Sequence, residues 1–223
     1  MKALKTLLPI AAAVAALAAP VAANAALAVR ISDGTNLLVV MDEGAGDATS
    51  GAPGIVTGIA IPFGGYTIAF ASGTNNGDPL DMHLSASYSA TLAAIPLANR
   101  VLTIEVSQTG LTTGVPGSVT FAGFGAGSGS GVQSWAMFAD DSNTLFGTAT
   151  TLYSGAVSGS QNATAMLSGT YSATIRAVFD LTGATSTLVA GSADHDMDVP
   201  EPATIALAGL ALLGLGAARR RKA

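Results

Sequence analysis

The sequence of 223 residues contains no cysteine, which excludes disulfides, thiolate-ligated metal sites and a cysteine nucleophile. Only 10% of its residues are charged and 5% are aromatic, and Trp135 is the single tryptophan. We therefore expect a thin core that depends mainly on alanine and valine. The length is enough for one domain of ordinary size together with terminal segments.

Basic residues are scarce in the middle of the chain. Residues 26–198, which we call the body, contain thirteen acidic residues, no lysine and three arginines, so their net charge is −10. Such a surface repels phosphate backbones, and nucleic-acid binding is not expected. The same charge predicts poor attachment to acidic polysaccharides unless divalent cations bridge the two. The three arginines are Arg30, Arg100 and Arg176.

Several common enzyme motifs are also missing. The sequence has no G-x-S-x-G elbow, no P-loop, no H-E-x-x-H pair and no G-x-G-x-x-G turn. The two histidines, His83 and His195, are expected at surface strand ends. The spacing of Asp194, Asp196 and Asp198 resembles the start of a calcium loop, but Val199 stands where that loop needs glycine. We expect no metal site and no cofactor.

The acidic residues leave one catalytic alternative open. A secreted carbohydrate-active hydrolase needs two carboxylates across a cleft, and Glu105 with Asp140 or Asp141 could supply them. Glu105 lies on the polar side of a predicted strand, so a solvated carboxylate is the expected state of its side chain. The absence of any recognisable catalytic motif favours a non-enzymatic protein.

The first 25 residues have the pattern of a secretory signal peptide. A short cationic start precedes an apolar run that ends at Ala19, and Ala23 and Ala25 match the small-x-small site of signal peptidase. The pattern predicts cleavage by signal peptidase and a mature chain that begins near Ala26.

The C-terminal segment has three ordered parts. An acidic spacer with a Pro-Glu-Pro motif precedes an apolar run of 16 residues, 203–218, and a basic cluster ends the chain. As a helix this run covers ~24 Å, short of the ~30 Å hydrocarbon core, so it can span a membrane only if the bilayer thins or flanking residues snorkel. The basic cluster is expected in the cytoplasm and the body outside. The motif is Pro200, Glu201 and Pro202, and the cluster is Arg219, Arg220, Arg221 and Lys222.

This order of motif, apolar run and arginine cluster closely resembles the PEP-CTERM sorting signal of Gram-negative bacteria. The resemblance implies processing by an exosortase, an integral membrane enzyme, near Pro200-Glu201-Pro202, with release or re-attachment of the protein outside. It also implies a connection to exopolysaccharide, because these sorting systems accompany exopolysaccharide production. The same tail is also known as the C-terminal segment of an ice-binding protein, a label that describes the tail and not the body.

The body shows the period-two alternation of half-buried strands. Apolar and polar side chains alternate through 171–182, 84–92 and 102–107, with glycine, asparagine and aspartate turns between strands. The glycine-rich segment 125–131 is predicted to be a flexible loop. About ten such strands predict an all-β fold, an antiparallel β-sandwich or jelly roll. Further candidate strands are 27–32, 37–41, 55–61, 66–71, 118–124, 132–139 and 148–154.

We expect a non-catalytic exported protein, a surface or extracellular-matrix component associated with exopolysaccharide or biofilm. Its expected partners are signal peptidase, an exosortase and extracellular polysaccharide, and its expected working surface is the row of hydroxyls at 85, 87, 89 and 91. Ice binding would need a regular ladder of Thr-x-Thr rows, and only isolated pairs occur. The expected layout is a signal peptide (1–25), a sandwich (26–193), an acidic spacer with the motif (194–202), a transmembrane helix (203–218) and a basic tail (219–223).

Overall fold

The computed structural model describes residues 26–74, 81–112, 116–156 and 159–198, and within them the chain forms twelve β-strands and two short 3-10 helices. The helices are Leu92–Ala94 and Leu97–Asn99. The strands are β1 (Leu27–Ser32), β2 (Leu37–Met41), β3 (Ile55–Phe63), β4 (Tyr66–Thr74), β5 (Asp81–Thr91), β6 (Val101–Thr112), β7 (Gly117–Gly129), β8 (Val132–Asp140), β9 (Thr150–Ala156), β10 (Gly159–Leu167), β11 (Thr170–Asp180) and β12 (Leu188–Asp198).

The strands form two six-stranded antiparallel sheets, which confirms the predicted all-β class and is consistent with a sandwich. Sheet A has the order β2-β1-β6-β11-β8-β9, and sheet B has the order β10-β7-β12-β5-β4-β3. Both sheets join strands that are far apart in the sequence, such as β1 with β6 and β12 with β5. Two predicted strands, 27–32 and 37–41, have the bounds of β1 and β2.

The core lies between the apolar faces of the two sheets. Tyr88 of β5 meets Phe179 of β11 edge-on with ring centroids 4.9 Å apart, and Phe121 of β7 meets Tyr171 of β11 at 6.0 Å. Such pairs contribute about 0.5–1.5 kcal/mol each beyond the area that they bury. The sequence has few aromatic residues, but these bulky rings cross the interface, so the expectation of a core that depends mainly on alanine and valine is wrong.

The glycine-rich segment 125–131 is not the flexible loop that its composition predicts. Most of it belongs to β7, where Gly125 pairs with His195 and Gly129 pairs with Gly191 of β12. A Cβ atom at Gly125 would lie 2.5 Å from Cε2 of Trp135. Glycine is therefore needed here because a side chain of β8 packs directly against the β7 backbone.

Two strands, β10 and β12, were not predicted. The core-facing positions of β10 carry only one large apolar residue, Leu167, beside small or polar ones such as Gln161, Ala163 and Ala165, so its alternation is weak. Strand β12 continues to Asp198, so sheet B takes in 194–198 and the sandwich does not end at residue 193. The aspartates of this segment point outward and His195 and Met197 point inward.

The predicted targeting segments lie outside the described residues. This applies to the signal peptide (1–25), to the Pro-Glu-Pro motif, to the apolar run (203–218) and to the basic tail (219–223). Within the described ranges, no helix has the length and apolar character needed to cross a membrane. The transmembrane helix at 203–218 stays a prediction.

Candidate functional site

Three charged side chains form a group on the outer face of sheet A, and we call them the Arg–Glu–Arg triad. Glu105 of β6 lies opposite Arg30 of β1 and opposite Arg176 of β11 in the strand register. Arg30 donates from Nε to Oε2 of Glu105 at 2.5 Å, and Arg176 donates from Nε to Oε1 at 2.7 Å. One carboxylate therefore holds two guanidinium groups, one on each side of it.

The two kinds of side chain in the triad differ in exposure. The Glu105 side chain is 3% exposed, whereas those of Arg30 and Arg176 are 29% and 31% exposed. A buried carboxylate is tolerated when both oxygens have partners, and that condition is met here. Glu105 does lie on the outer side of its strand, but the expectation that its carboxylate is solvated is wrong because the arginines cover it.

Two phenylalanine rings support the guanidinium groups. The Cζ atom of Arg30 lies 4.3 Å from the centroid of Phe146, and that of Arg176 lies 4.6 Å from the centroid of Phe138. Cation–π contacts of this kind contribute about 0.5–2 kcal/mol and restrict the orientation of the guanidinium plane. Each arginine is therefore held by a hydrogen bond from its Nε to Glu105 and by contact of its guanidinium group with a phenylalanine ring.

Phe146 belongs to the segment 141–149, which connects β8 and β9. Its backbone N–H donates to Oγ of Ser107 at 2.8 Å, and Gly110 N–H donates to Oδ1 of Asn143 at 2.7 Å. These bonds attach the loop to β6. Phe146 has a φ of 60°, a left-handed conformation that is rare for a bulky residue. The loop therefore holds the ring against Arg30 at a cost in backbone strain, a feature that concentrates at binding and catalytic sites.

An open depression of about 430 Å³ lies beside the triad. Its volume is within the range of roughly 300–1,000 Å³ that is usual for small-ligand sites. The Nη atoms of both arginines make no hydrogen bond to any part of the chain that the structure describes. They are therefore available to a ligand. The depression is lined by Arg30, Ser32, Leu37, Thr103, Glu105, Arg176 and Val178.

The triad concentrates positive charge in an acidic protein. Two of the three arginines of the body meet at Glu105, which leaves a local charge of +1 in a body of −10. The third arginine, Arg100, donates to the backbone carbonyls of Ile95 and Leu92 at 3.5 and 3.4 Å. The depression therefore differs in charge from the rest of the body.

The carboxylates considered for hydrolysis do not form a pair. Asp140 shares the outer face of sheet A with Glu105, but it lies two strands away and four residues further along. Strand spacings put their Cα atoms about 16 Å apart, whereas glycosidase carboxyl groups lie roughly 5–10 Å apart. Hydrogen bonds from Ser142 lower the pKa of Asp140. Asp141 accepts a bond from the Ser168 N–H at 2.9 Å.

The predicted row of hydroxyls lies on the outer face of sheet B. Ser87 and Ser89 are exposed, and Ser87 stands opposite Ser192 of β12. Ser192 is in turn 3.2 Å from the hydroxyl of Ser128 on β7. The Thr-x-Thr pairs at 148/150 and 185/187 form no ladder on this face, because β9, which begins at Thr150, belongs to sheet A and residues 185–187 precede β12.

One end of this face is acidic. His83 lies with Nε2 2.6 Å from Oδ1 of Asp194 and 3.8 Å from Oδ1 of Asp196. Burial raises the pKa of Asp196, and burial together with nearby Asp81 raises that of Asp198. In the ranges that the structure describes, no group of three or more His, Asp or Glu side chains is arranged to hold a metal ion.

His195 is not the surface residue that its position in the sequence suggests. Its ring is fully buried and stacks on Trp135, with centroids 5.1 Å apart and planes 7° apart. Burial lowers its pKa to about 4. Neither ring nitrogen has a hydrogen-bond partner among the described residues.

Arg30, Arg176 and Phe146 were not identified from the sequence as site residues. A signal was available for the arginines, because they are two of only three basic residues in the body and both occupy polar positions of alternating strands. Their meeting at Glu105 depends on the register of β1, β6 and β11. The predicted sorting residues, from Pro200 to Arg221, and the signal peptidase site at Ala23 and Ala25 lie outside the described residues.

Comparison with known proteins identifies the C-terminal segment. Residues 198–222 match the family model described as the PEP-CTERM protein-sorting motif, which confirms the resemblance seen in the sequence. The motif supports export, sorting by an exosortase, and a cell-surface or extracellular location. No curated protein matches the sequence of this chain.

Two of the solved structures with some similarity to this chain are an adhesin domain and a CBM6 module. The K3 cleaved adhesin domain of Lys-gingipain from Porphyromonas gingivalis is 12% identical with a TM-score of 0.32, over 52% of this chain and 74% of that chain. The C-terminal CBM6 of LamC from Zobellia galactanivorans is 10% identical with a TM-score of 0.30, over 65% of this chain and 98% of that chain.

Proposed function

We propose that this protein is an exported, non-catalytic, glycan-binding component of the cell surface or extracellular polysaccharide matrix, which an exosortase sorts through its PEP-CTERM motif. The match of that motif to residues 198–222 carries the proposal. In the sequence only Val199 separates the end of β12 from Pro200, so the sorting motif directly follows the sandwich.

The proposed route has three steps. Signal peptidase removes residues 1–25, and the apolar run 203–218 then holds the precursor in the membrane with the body outside. The exosortase cuts near Pro200-Glu201-Pro202 and separates the body from the short membrane segment. A 16-residue run containing three glycines is a weak permanent anchor, which is consistent with a transient role.

The charges on sheet A support binding rather than catalysis. Both oxygens of Glu105 accept hydrogen bonds from arginines, so neither oxygen is left free to act on a substrate. A general acid needs a raised pKa and a second carboxylate nearby, and Asp140 has a lowered pKa and lies far from Glu105. Hydroxyl groups on the outer faces of both sheets offer hydrogen bonds to sugar hydroxyls.

The sorting step is tested by changing Pro200, Glu201 and Pro202 to alanine together. In a host that has an exosortase, the altered protein should stay in the membrane at the mass of the precursor with its tail. The unaltered protein should lose the tail and appear at the surface or in the medium. Equal masses and equal distribution of the two proteins would refute the sorting assignment.

The binding step is tested with the purified full-length protein on an array of neutral and acidic glycans, alongside a hydrolysis assay on the same glycans. We expect retention on at least one glycan class and no release of sugar. Failure to bind any glycan would refute the binding role, and hydrolysis that is lost in Glu105→Gln would establish the enzyme instead.

A further inference from the structure

We propose that the depression beside the Arg–Glu–Arg triad binds the carboxylate of an acidic sugar, a uronate residue of a polysaccharide. This inference rests on the proposed function, because it names the class of glycan that the body binds. It also replaces the expectation, drawn from the net charge alone, that acidic glycans attach only through bridging divalent cations.

The arginines present the correct donors for a carboxylate. Glu105 uses the Nε of Arg30 and the Nε of Arg176, so the two Nη atoms of each guanidinium remain for a ligand. Two parallel N–H groups match the two oxygens of a planar carboxylate, which is the usual bidentate geometry. The same edge of a guanidinium also pairs with the oxygens of a sulfate or phosphate ester, so the test includes a sulfated oligomer to separate the two kinds of anion.

The site is organised before any ligand arrives. Glu105 fixes both guanidinium groups, and the rings of Phe146 and Phe138 lie 4.3 and 4.6 Å from their Cζ atoms. An arginine that is already held in place loses less side-chain entropy when it binds, so more of the interaction appears as affinity. The strained φ of 60° at Phe146 serves the same organisation.

The remaining lining fits a sugar ring. Ser32 and Thr103 provide hydroxyl groups for sugar hydroxyls, and Leu37 and Val178 provide apolar surface for ring carbons. The local charge of +1 matches a single carboxylate. The surrounding body, at −10, opposes densely charged polyanions such as nucleic acids.

The test measures binding of oligogalacturonate to the full-length chain, purified in mild detergent, by isothermal titration calorimetry with EDTA present. The fully methyl-esterified oligomer of the same length is the control ligand that lacks the negative charge. A sulfated oligogalactan is the control ligand that carries a different anion. We expect the ester and the sulfated oligomer to bind at least about tenfold more weakly than the uronate.

Two pairs of variants locate the site. Leu37 and Leu188 are 66% and 74% exposed, on sheet A and sheet B respectively, so Leu37→Glu and Leu188→Glu add the same charge with little effect on folding. Leu37→Glu should abolish uronate binding and Leu188→Glu should not. Arg30→Gln should weaken binding about tenfold or more, whereas Arg100→Gln, with the same change of net charge, should leave it unchanged. Thermal unfolding confirms that each variant folds.

The outcomes separate this inference from the proposed function. Equal binding of the ester or of the sulfated oligomer overturns the inference and leaves a glycan-binding protein. Uronate binding that survives both Leu37→Glu and Arg30→Gln also overturns it, because the site then lies elsewhere. If none of these oligomers and no array glycan binds, the inference and the proposed binding role both fail.

Discussion

Protonation of His195 would place a positive charge between the two sheets, against the ring of Trp135. Burial lowers the pKa of this imidazole from its ordinary value of 6.5 to about 4, with Asp194 opposing the shift and His83 adding to it. The folded protein therefore binds the proton less readily than the unfolded chain does. The contribution of His195 to the free energy of unfolding has its full value above pH 6.5. This contribution falls as the pH is lowered from 6.5 to 4.

The size of this effect follows from the shift. A difference of about 2.5 pKa units, at 1.36 kcal/mol per unit, gives a loss of about 3 kcal/mol between these two pH values. That is a large part of the ~5–15 kcal/mol that stabilises a typical domain. Burial raises the pKa of Asp196, so the folded protein binds a proton at this carboxyl more readily than the unfolded chain does. Protonation of Asp196 therefore offsets part of the loss of stability at the lower end of this pH range. Hydrogen bonds from Ser142 lower the pKa of Asp140, so its protonation destabilises the fold only below about pH 4.

Urea unfolding of the purified protein at several pH values between 7.5 and 4.5, followed by circular dichroism, measures this loss. The variant His195→Phe keeps a ring against Trp135 but cannot titrate, so the free energy of unfolding should become nearly independent of pH from 6.5 to 4.5. His83→Gln is the matched control on the same sheet, because His83 is partly exposed, and it should keep the dependence. An unchanged dependence in His195→Phe, or an imidazole pKa near 6.5 by NMR, would contradict the reasoning.

Three further predictions concern packing, processing and metal ions. Gly125→Ala should lower the free energy of unfolding by about 1–3 kcal/mol, because its Cβ would lie 2.5 Å from the Trp135 ring, while Gly117→Ala, with no atom within 4 Å, should have little effect in the same urea assay. Mass spectrometry of the exported protein should show an N-terminus at Ala26, and retention of the leader would contradict the signal-peptide assignment. The segment 26–198 should fold alone with a β spectrum, and EDTA should not change its melting temperature; a large drop would reveal structural calcium.

The alternation of apolar and polar residues was enough to predict the class of fold. In β11, for instance, Tyr171, Ile175 and Phe179 face the core as their spacing requires, because side chains in a strand point alternately to its two faces. Strand β12 was missed because the aspartates around His195 resemble a solvated spacer. Their outward direction depends on the partner strands on both sides, which only the folded sheet supplies.

The site could be predicted less well than the fold. The sequence places Glu105 on the outer side of its strand, but its burial depends on Arg30 and Arg176, which are 75 and 71 residues away. A register shifted by one residue would turn these side chains to the other face. The position of Phe146 depends on a loop conformation with positive φ, which no local pattern in the sequence indicates.

The position of β12 determines how the body resists mechanical force. This strand ends at Asp198, immediately before the sorting motif, and it pairs with β5 through eleven residue positions and with β7 through eight. A pull on Asp198 along the strand loads these hydrogen bonds together in shear instead of opening them one at a time. If a polysaccharide is held at sheet A as we propose, it pulls on the opposite layer, and the tension between the two points then passes through the packed aromatic rings of the core.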